Sequence, residues 1–321
     1  MIMNERIKLI VVAGPTASGK TALGVEIARR FNGEVVSADS MQIYTGMDIA
    51  SAMPTTEEMQ GIRHHMLGFL SQNERYSVAS YCEAAKKCIA DIVYRGKLPV
   101  IVGGTGLYIN SLVDNIEYTE GETDLSIRQA LEKEFEEKGA AAMLAKLSEV
   151  DQESASRLHE NDTKRILRAL EFYRQYGITI TEQARLSRLN GSPYEPLMIA
   201  LNARDREYLY NRINLRVDIM AQNGLVEEAR QCFEKQKATA AQAIGHKELA
   251  SYFEGTSTLD EALDRLKQQT RRYAKRQLTW FRKDERMNWL YIDDYEDKSA
   301  LCNAAFALCE EFMNNGKEEE Q

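Results

Sequence analysis

The chain has 321 residues, 44% of them hydrophobic and 28% charged, which predicts one substantial globular core and a second, smaller one. Its apolar runs are strand-sized, too short to cross a bilayer, and the first residues lead into a strand without an apolar leader. We therefore expect a cytoplasmic monomer with no membrane partner. The net charge of −8 argues weakly against nucleic acid, yet residues 271–286 carry seven Lys and Arg side chains against two acidic ones.

The first predicted strand leads into a phosphate-binding loop. Residues 7–13 read as a buried strand, and apolar residues recur at helical spacing after residue 20. Between them stands the motif GPTASGKT, made of Gly14, Pro15, Thr16, Ala17, Ser18, Gly19, Lys20 and Thr21. Backbone N–H groups and the helix N-terminus of such a loop attract phosphate. The motif predicts that Lys20 neutralises phosphate charge and that Thr21 holds Mg²⁺.

Two further strands are predicted, over residues 34–38 and 98–102, separated by a helix that begins after Ser77. The alternation predicts a P-loop NTPase-like α/β fold, with a mainly parallel sheet flanked by helices. Ligands of such sheets gather at the carboxyl ends of the strands. Asp39 and Thr105, which follow these two strands, should therefore face the same cleft as the loop.

Asp39 admits three interpretations. It could hold Mg²⁺ as in a phosphohydrolase, accept a proton from an incoming nucleophile, or cap a turn. The following Ser40, Met41 and Gln42 are polar or polarisable groups that suit an extruded base.

A helical insertion is predicted over residues 115–193, so that the core comprises residues 1–114 and 194–321. Insertion helices are expected near residues 126–138, 162–176 and 181–189. The cluster Lys164, Arg165 and Arg168 could contact nucleic-acid phosphates or pair with nearby glutamates.

The core resumes with a strand over residues 197–201, after which helices are predicted to fill the remainder. Arg212 and Arg216 lie one helical turn apart, and could clamp a diphosphate or form a solvated face. A long helix over residues 259–283 carries Leu263, Leu266, Tyr273 and Trp280 on its predicted apolar side, beside the basic run.

Together these motifs resemble the bacterial tRNA dimethylallyltransferases, or tRNA isopentenyltransferases. The resemblance covers about residues 7–290 and rests on GPTASGKT, SADSMQIYTGMDIASAMP, LPVIVGGTGLYI, NDTKRILRALE, AIGHKE and RRYAKRQLTWFRK. It implies transfer of a dimethylallyl group from dimethylallyl diphosphate to the exocyclic amine of the adenosine 3′ of the tRNA anticodon, with release of diphosphate.

The resemblance also implies residue roles. Asp39 would be the general base, Thr16 would lie near both reactants, and Arg216 would assist the loop and Mg²⁺ in stabilising the leaving diphosphate. Asp39, Ser40, Met41 and Gln42 would hold the extruded adenine, and Thr105 would touch it or its phosphate. The anticodon stem-loop would be contacted by Arg128, Lys164, Arg165, Ile166, Leu167, Arg168, Ala243, Ile244, Gly245, His246, Lys247, Glu248, Lys275, Arg276, Gln277, Trp280 and Arg282.

The chain departs from the family pattern at two places. Many members have Tyr at the position of His246 and Pro-Gln at Thr163-Lys164; His246 could still stack on a base. Three alternatives remain: a small-molecule or nucleoside kinase, an adenylate isopentenyltransferase acting on free nucleotide, and a nucleic-acid-binding NTPase. The basic run argues against the kinase and the helical insertion against the adenylate enzyme.

Overall fold

The computed structural model describes residues 6–118, 124–189, 191–234 and 243–315. The chain divides into two compact units: Met1–Val113 with Pro193–Gln321, and Asp114–Ser192. These boundaries lie one residue from those expected from the sequence. Each unit is described by itself below.

The first unit is built on six parallel strands in the order β3-β2-β4-β1-β5-β6. The strands are β1 (Ile7–Ala13), β2 (Gly33–Ser37), β3 (His64–His65), β4 (Leu98–Gly103), β5 (Tyr194–Asn202) and β6 (Met287–Tyr291). The helices of this unit are α1 (Lys20–Arg30), α2 (Thr56–Met59), α3 (Val78–Tyr94), α4 (Gly106–Val113), α9 (Arg206–Gln222), α10 (Leu225–Glu234), α11 (His246–Phe253), α12 (Leu259–Phe281) and α13 (Lys298–Asn314).

The central strands are buried along their length, which explains why their sequences are continuously apolar instead of alternating. Their burial confirms the predicted α/β class with a mainly parallel sheet. The prediction that only helices follow residue 201 is wrong, because β6 pairs with β5 at the sheet edge. Its irregular burial and mixed sequence MNWLY give a weak strand signal.

The second unit is helical throughout its described residues. It contains α5 (Leu125–Val150), α6 (Gln152–Ala155), α7 (Thr163–Tyr176) and α8 (Ile180–Leu186). The predicted helix near residues 126–138 agrees with the first part of α5, which breaks at Gly139, where φ is +79°. The second helical stretch, from this break to Val150, was not predicted. Leu131, Met143 and Leu147 of α5 pack with Ile166 and Leu170 of α7 to form this unit's core.

No helix among the described residues is long and apolar enough to cross a membrane. All five cysteines are free thiols, and four of them are buried, as expected for reduced packing residues.

Candidate active site

A cavity of about 270 Å³ lies at the carboxyl ends of the central strands, entirely within the first unit. The predicted phosphate loop contributes Thr16, Lys20 and Thr21, and the chain after β2 contributes Asp39. Helices α9 and α12 form much of the remaining wall, and residues 40–42, 50–52 and 243–244 complete it. The parallel topology thus brings together residues that the sequence places far apart.

The loop is shaped by close packing against β5. Gly14 has a φ of +153°, and a Cβ atom there would stand 2.9 Å from the Leu201 carbonyl oxygen. Only glycine suits this position, because a side chain would meet both the backbone strain and the neighbouring strand. Helix α1 begins directly at Lys20, so its N-terminus faces the cavity.

Cationic side chains dominate the loop side of the cavity. Burial and, to a smaller extent, the Arg216 charge lower the pKa of Lys20 to about 8, although the Asp39 carboxylate opposes the shift. Burial also lowers the pKa of Arg216. Arg212 donates from Nε to the Ala17 carbonyl oxygen at 2.8 Å. Arg216 therefore lines the cavity, whereas Arg212 is exposed and contacts the backbone of the loop. The charges of Lys20 and Arg216 favour an anion in the cavity.

Arg212 was not among the predicted site residues, although its spacing from Arg216 was noted. One helical turn aligns two residues on a face, but does not show which way the face points. The contact with Ala17 supplies that direction.

Asp39 combines a turn contact with a place in the cavity wall. Its Oδ1 accepts a hydrogen bond from the Met41 N–H at 2.9 Å. The turn-cap interpretation is therefore correct for this one oxygen, while the residue also lines the cavity with Thr21. A hydroxyl and a carboxylate are oxygen donors that suit Mg²⁺, which commonly completes its shell with phosphates and water. Among the described residues, no group of three or more His, Cys, Asp or Glu side chains could hold a metal ion.

We use "Asp39 shelf" for residues 39–42 together with Thr105, which are held in place by hydrogen bonds. Thr105 Oγ1 accepts from the Ser40 N–H at 3.0 Å. Gln42 accepts from the Ser37 hydroxyl at 2.8 Å and donates to the Ala52 carbonyl at 3.1 Å, so both ends of its amide are engaged by the protein. Gln42 therefore orders the wall of the cavity in this structure.

Tyr273 also lines the cavity, where burial raises its pKa well above the ordinary value. The sequence pattern predicted that Tyr273 lies on the apolar side of its helix. The pattern could not show its polar neighbours, because Asp39 and Thr105 are distant in sequence.

The cavity also has an apolar part of its lining. This part is formed by Val217 and Met220 of α9, Leu266 of α12, and the segment Ala243 and Ile244. One cavity thus combines an anion site with an apolar lining, which fits an amphiphilic phosphate ester.

Several residues predicted to contact tRNA are buried in the structure. Ile166 and Leu167 belong to the core of the second unit, so only their charged neighbours point outward. Ala243 and Gly245 are buried. The His246 ring is 4% exposed and bonds Glu228 through Nε2 at 3.0 Å, so it is not presented for stacking.

Two more residues predicted to contact tRNA, Gln277 and Glu248, form hydrogen bonds within the protein. Gln277 is 5% exposed and bonds two loops of the cavity. Glu248 caps α11 by accepting from the Gly245 N–H at 2.9 Å. In the second unit, Arg128 and Arg168 both reach Glu171, which confirms the pairing alternative for Arg168.

A basic surface remains on the outer side of α12 and the residues after it. We use "α12 basic face" for its exposed members Arg272, Lys275, Arg276, Arg282 and Lys283. Arg276 also lines the cavity, so this face borders the cavity mouth. Trp280 is 41% exposed, contrary to its predicted apolar side, and bonds Asn110 through its indole N–H. The second unit exposes Lys164 and Arg165.

The fold and cavity define an α/β protein with a P-loop-like turn that combines an anion site, a carboxylate and an apolar lining. The family model described as IPP transferase matches residues 42–284, and the chain belongs to this family.

Named relatives are similar over nearly the whole chain. A tRNA dimethylallyltransferase of Caldanaerobacter subterraneus is 48% identical and covers 92% of this chain and 95% of its own. That of Acetivibrio thermocellus is 45% identical, covering 94% and 97%.

Solved structures agree with this assignment. The tRNA isopentenylpyrophosphate transferase of Bacillus halodurans has a TM-score of 0.72 at 39% identity, covering 98% of this chain and 99% of its own. A eukaryotic dimethylallyltransferase acting on tRNA gives 0.80 at 28% identity, covering 96% and 80%.

Proposed function

We propose that this protein transfers the dimethylallyl group of dimethylallyl diphosphate to the exocyclic amine of the adenosine 3′ of a tRNA anticodon. The observation that carries the proposal is that one cavity is lined by the cations Lys20 and Arg216, by the carboxylate of Asp39 and by a set of apolar side chains. A kinase site would need a pocket for a nucleoside and a hydroxyl acceptor, whereas this lining suits a short branched hydrocarbon on a diphosphate.

The leaving group is stabilised by fixed positive charge. Lys20, Arg216 and the N-terminus of α1 meet the diphosphate oxygens, where negative charge grows as the carbon–oxygen bond breaks. The Thr21 hydroxyl would supply an oxygen ligand to Mg²⁺, which when bound adds further charge neutralisation. Arg212 holds the loop backbone in shape through Ala17.

The acceptor amine needs a base because its lone pair is delocalised into the adenine ring. As the amine nitrogen bonds the allylic carbon, one amine proton passes to a carboxylate oxygen of Asp39 and the carbon–oxygen bond to diphosphate breaks. Oδ1 of Asp39 is oriented by Met41, which leaves Oδ2 to take the proton. An extruded base is required, since the amine must reach the bottom of an enclosed cavity.

The α12 basic face is the proposed docking surface for the anticodon stem-loop. Its exposed Lys and Arg side chains suit backbone phosphates, and Arg276 links this face to the cavity mouth. In the second unit, the exposed Lys164 and Arg165 provide the same chemistry. Ile244, Lys247, Trp280 and Arg282 stay as predicted contacts.

The test is transfer of label from radioactive dimethylallyl diphosphate to an unmodified tRNA transcript. The matched control is a transcript whose adenosine 3′ of the anticodon is replaced by guanosine, and AMP competes as an alternative acceptor. We expect label only on the adenosine transcript. Labelling of AMP in preference to tRNA would favour the adenylate enzyme, and ATP-dependent phosphorylation of a nucleoside without tRNA labelling would favour the kinase.

A further inference from the structure

Gln277 joins two neighbouring loops, the phosphate loop that follows β1 and the turn that follows β4. Its Oε1 accepts a hydrogen bond from the Thr16 N–H at 3.0 Å, and its Nε2 donates to the Gly104 carbonyl at 2.9 Å. The side chain is only 5% exposed, so both bonds are shielded from water.

One end of this link is the loop proposed to hold the diphosphate. Thr16 is the third residue of GPTASGKT and lines the cavity with Lys20. A bond to its N–H fixes the loop backbone two residues after the strained Gly14.

The other end leads to the proposed base. Gly104 precedes Thr105, whose hydroxyl receives the Ser40 N–H next to Asp39. The approach to Gly104 is so close that a Cβ atom there would lie 2.2 Å from Nε2 of Gln277. A residue other than glycine would push the amide away from this loop.

We propose that Gln277 is a positioning residue that sets the separation between the diphosphate loop and the Asp39 shelf. This inference rests on the proposed function and adds a residue that touches neither reacting atom. Only a side chain with an acceptor and a donor on one rigid group, at this length, bonds both loops at once. Since Gln277 lies on the same helix as the α12 basic face, the helix that docks tRNA also aligns donor and base.

Three substitutions of Gln277 distinguish its hydrogen bond to Thr16 from its hydrogen bond to Gly104. Gln277→Met keeps the volume and removes both bonds; Gln277→Glu keeps the acceptor for Thr16 and turns an oxygen toward the Gly104 carbonyl. Gln277→Asn keeps the amide but shortens its reach by one methylene. The matched control is Gln268→Met, because Gln268 is an exposed glutamine of the same helix.

The measurements are kcat and KM for both substrates, together with Tm and tRNA binding. A displacement of about 1 Å in a reacting pair costs roughly 100-fold in rate, so we expect kcat of Gln277→Met to fall by about that factor. KM for tRNA and its salt dependence should stay close to wild type, and Gln268→Met should change neither parameter. Gln277→Glu and Gln277→Asn should both have a lower kcat than wild type. Either variant can test the proposal if Gln277→Met does not fold.

Three outcomes would overturn the positioning role. The first is an unchanged kcat in the folded variants. The second is a loss confined to KM for tRNA with a flatter salt dependence, which would make Gln277 a nucleic-acid contact. The third is full activity of Gln277→Glu, which would make the Gly104 bond irrelevant. A wild-type protein that labels no tRNA would instead overturn the proposed function itself, so the two failures are distinct.

Discussion

Donor binding should depend steeply on pH between 7 and 9 because of Lys20. Its pKa is lowered to about 8, chiefly by burial, so the unbound cavity loses this cation as the pH rises through that value. At pH 9 only about one tenth of the protein carries a protonated Lys20 before binding. A bound diphosphate restores the charge by raising the pKa again, which requires uptake of a proton.

The magnitude follows from this linkage. Affinity for dimethylallyl diphosphate should fall roughly tenfold from pH 7 to pH 9, and about three quarters of a proton should be taken up on binding at pH 8.5. The donor is fully ionised there because its last phosphate pKa is about 6, so the proton comes to the protein.

Isothermal titration calorimetry without tRNA, in buffers of different ionisation enthalpy, measures both quantities. Lys20→Arg is the control, because a guanidinium stays charged over this range and should abolish the proton uptake. An affinity that is flat from pH 7 to pH 9, with no proton uptake in the wild type, would refute the assignment of Lys20 as the titrating cation.

Three further predictions concern the general base Asp39, the α12 basic face and the packing of helix α1. Asp39→Asn should reduce single-turnover transfer by roughly 10²- to 10⁴-fold while the donor still binds, and near-normal transfer would remove Asp39 from the base role. Lys275→Ala with Arg276→Ala should weaken tRNA binding and reduce the slope of log K against log salt by roughly 1.5 to 2; an unchanged slope would place these cations away from phosphates. Gly24→Ala should lower Tm by several degrees, because its Cβ would lie 2.4 Å from Cγ2 of Val102, and a raised Tm would show that the helix can shift without cost.

Local sequence signals predicted the loop and the position of Asp39 because a strand, a glycine-rich turn and a helix follow each other within residues 7–30. They could not predict the partners of Gln277. Its spacing from Ala274 and Phe281 places it on the inner side of α12, but the loops that it bonds lie more than a hundred residues away. A sequence pattern indicates which residues share one face of a helix, but only the fold shows which residues that face contacts.

The same limit applies to His246 and to β6. The burial of His246 depends on Glu228, which stands on the preceding helix and also accepts the N–H groups of Ile49 and Ala50. Because these partners are distant in sequence, the motif AIGHKE alone suggested that the His246 side chain is exposed. The strand β6 is short and lies at an edge, so its residues satisfy neither the buried nor the cleanly alternating pattern.

The position of β5 has a consequence for how the chain acquires its structure. Strand β1 lies between β4 and β5, with Ile7 opposite Tyr194, so its second neighbour arrives only after the whole helical unit has been synthesised. During translation β1 keeps an unpaired edge until that point, and closing so long a stretch of chain slows assembly. The Leu201 carbonyl that packs against Gly14 belongs to this late strand. The loop at the start of the chain therefore cannot take its final shape before about two thirds of the protein exists, and the bond from Gln277 to Thr16 is added later still.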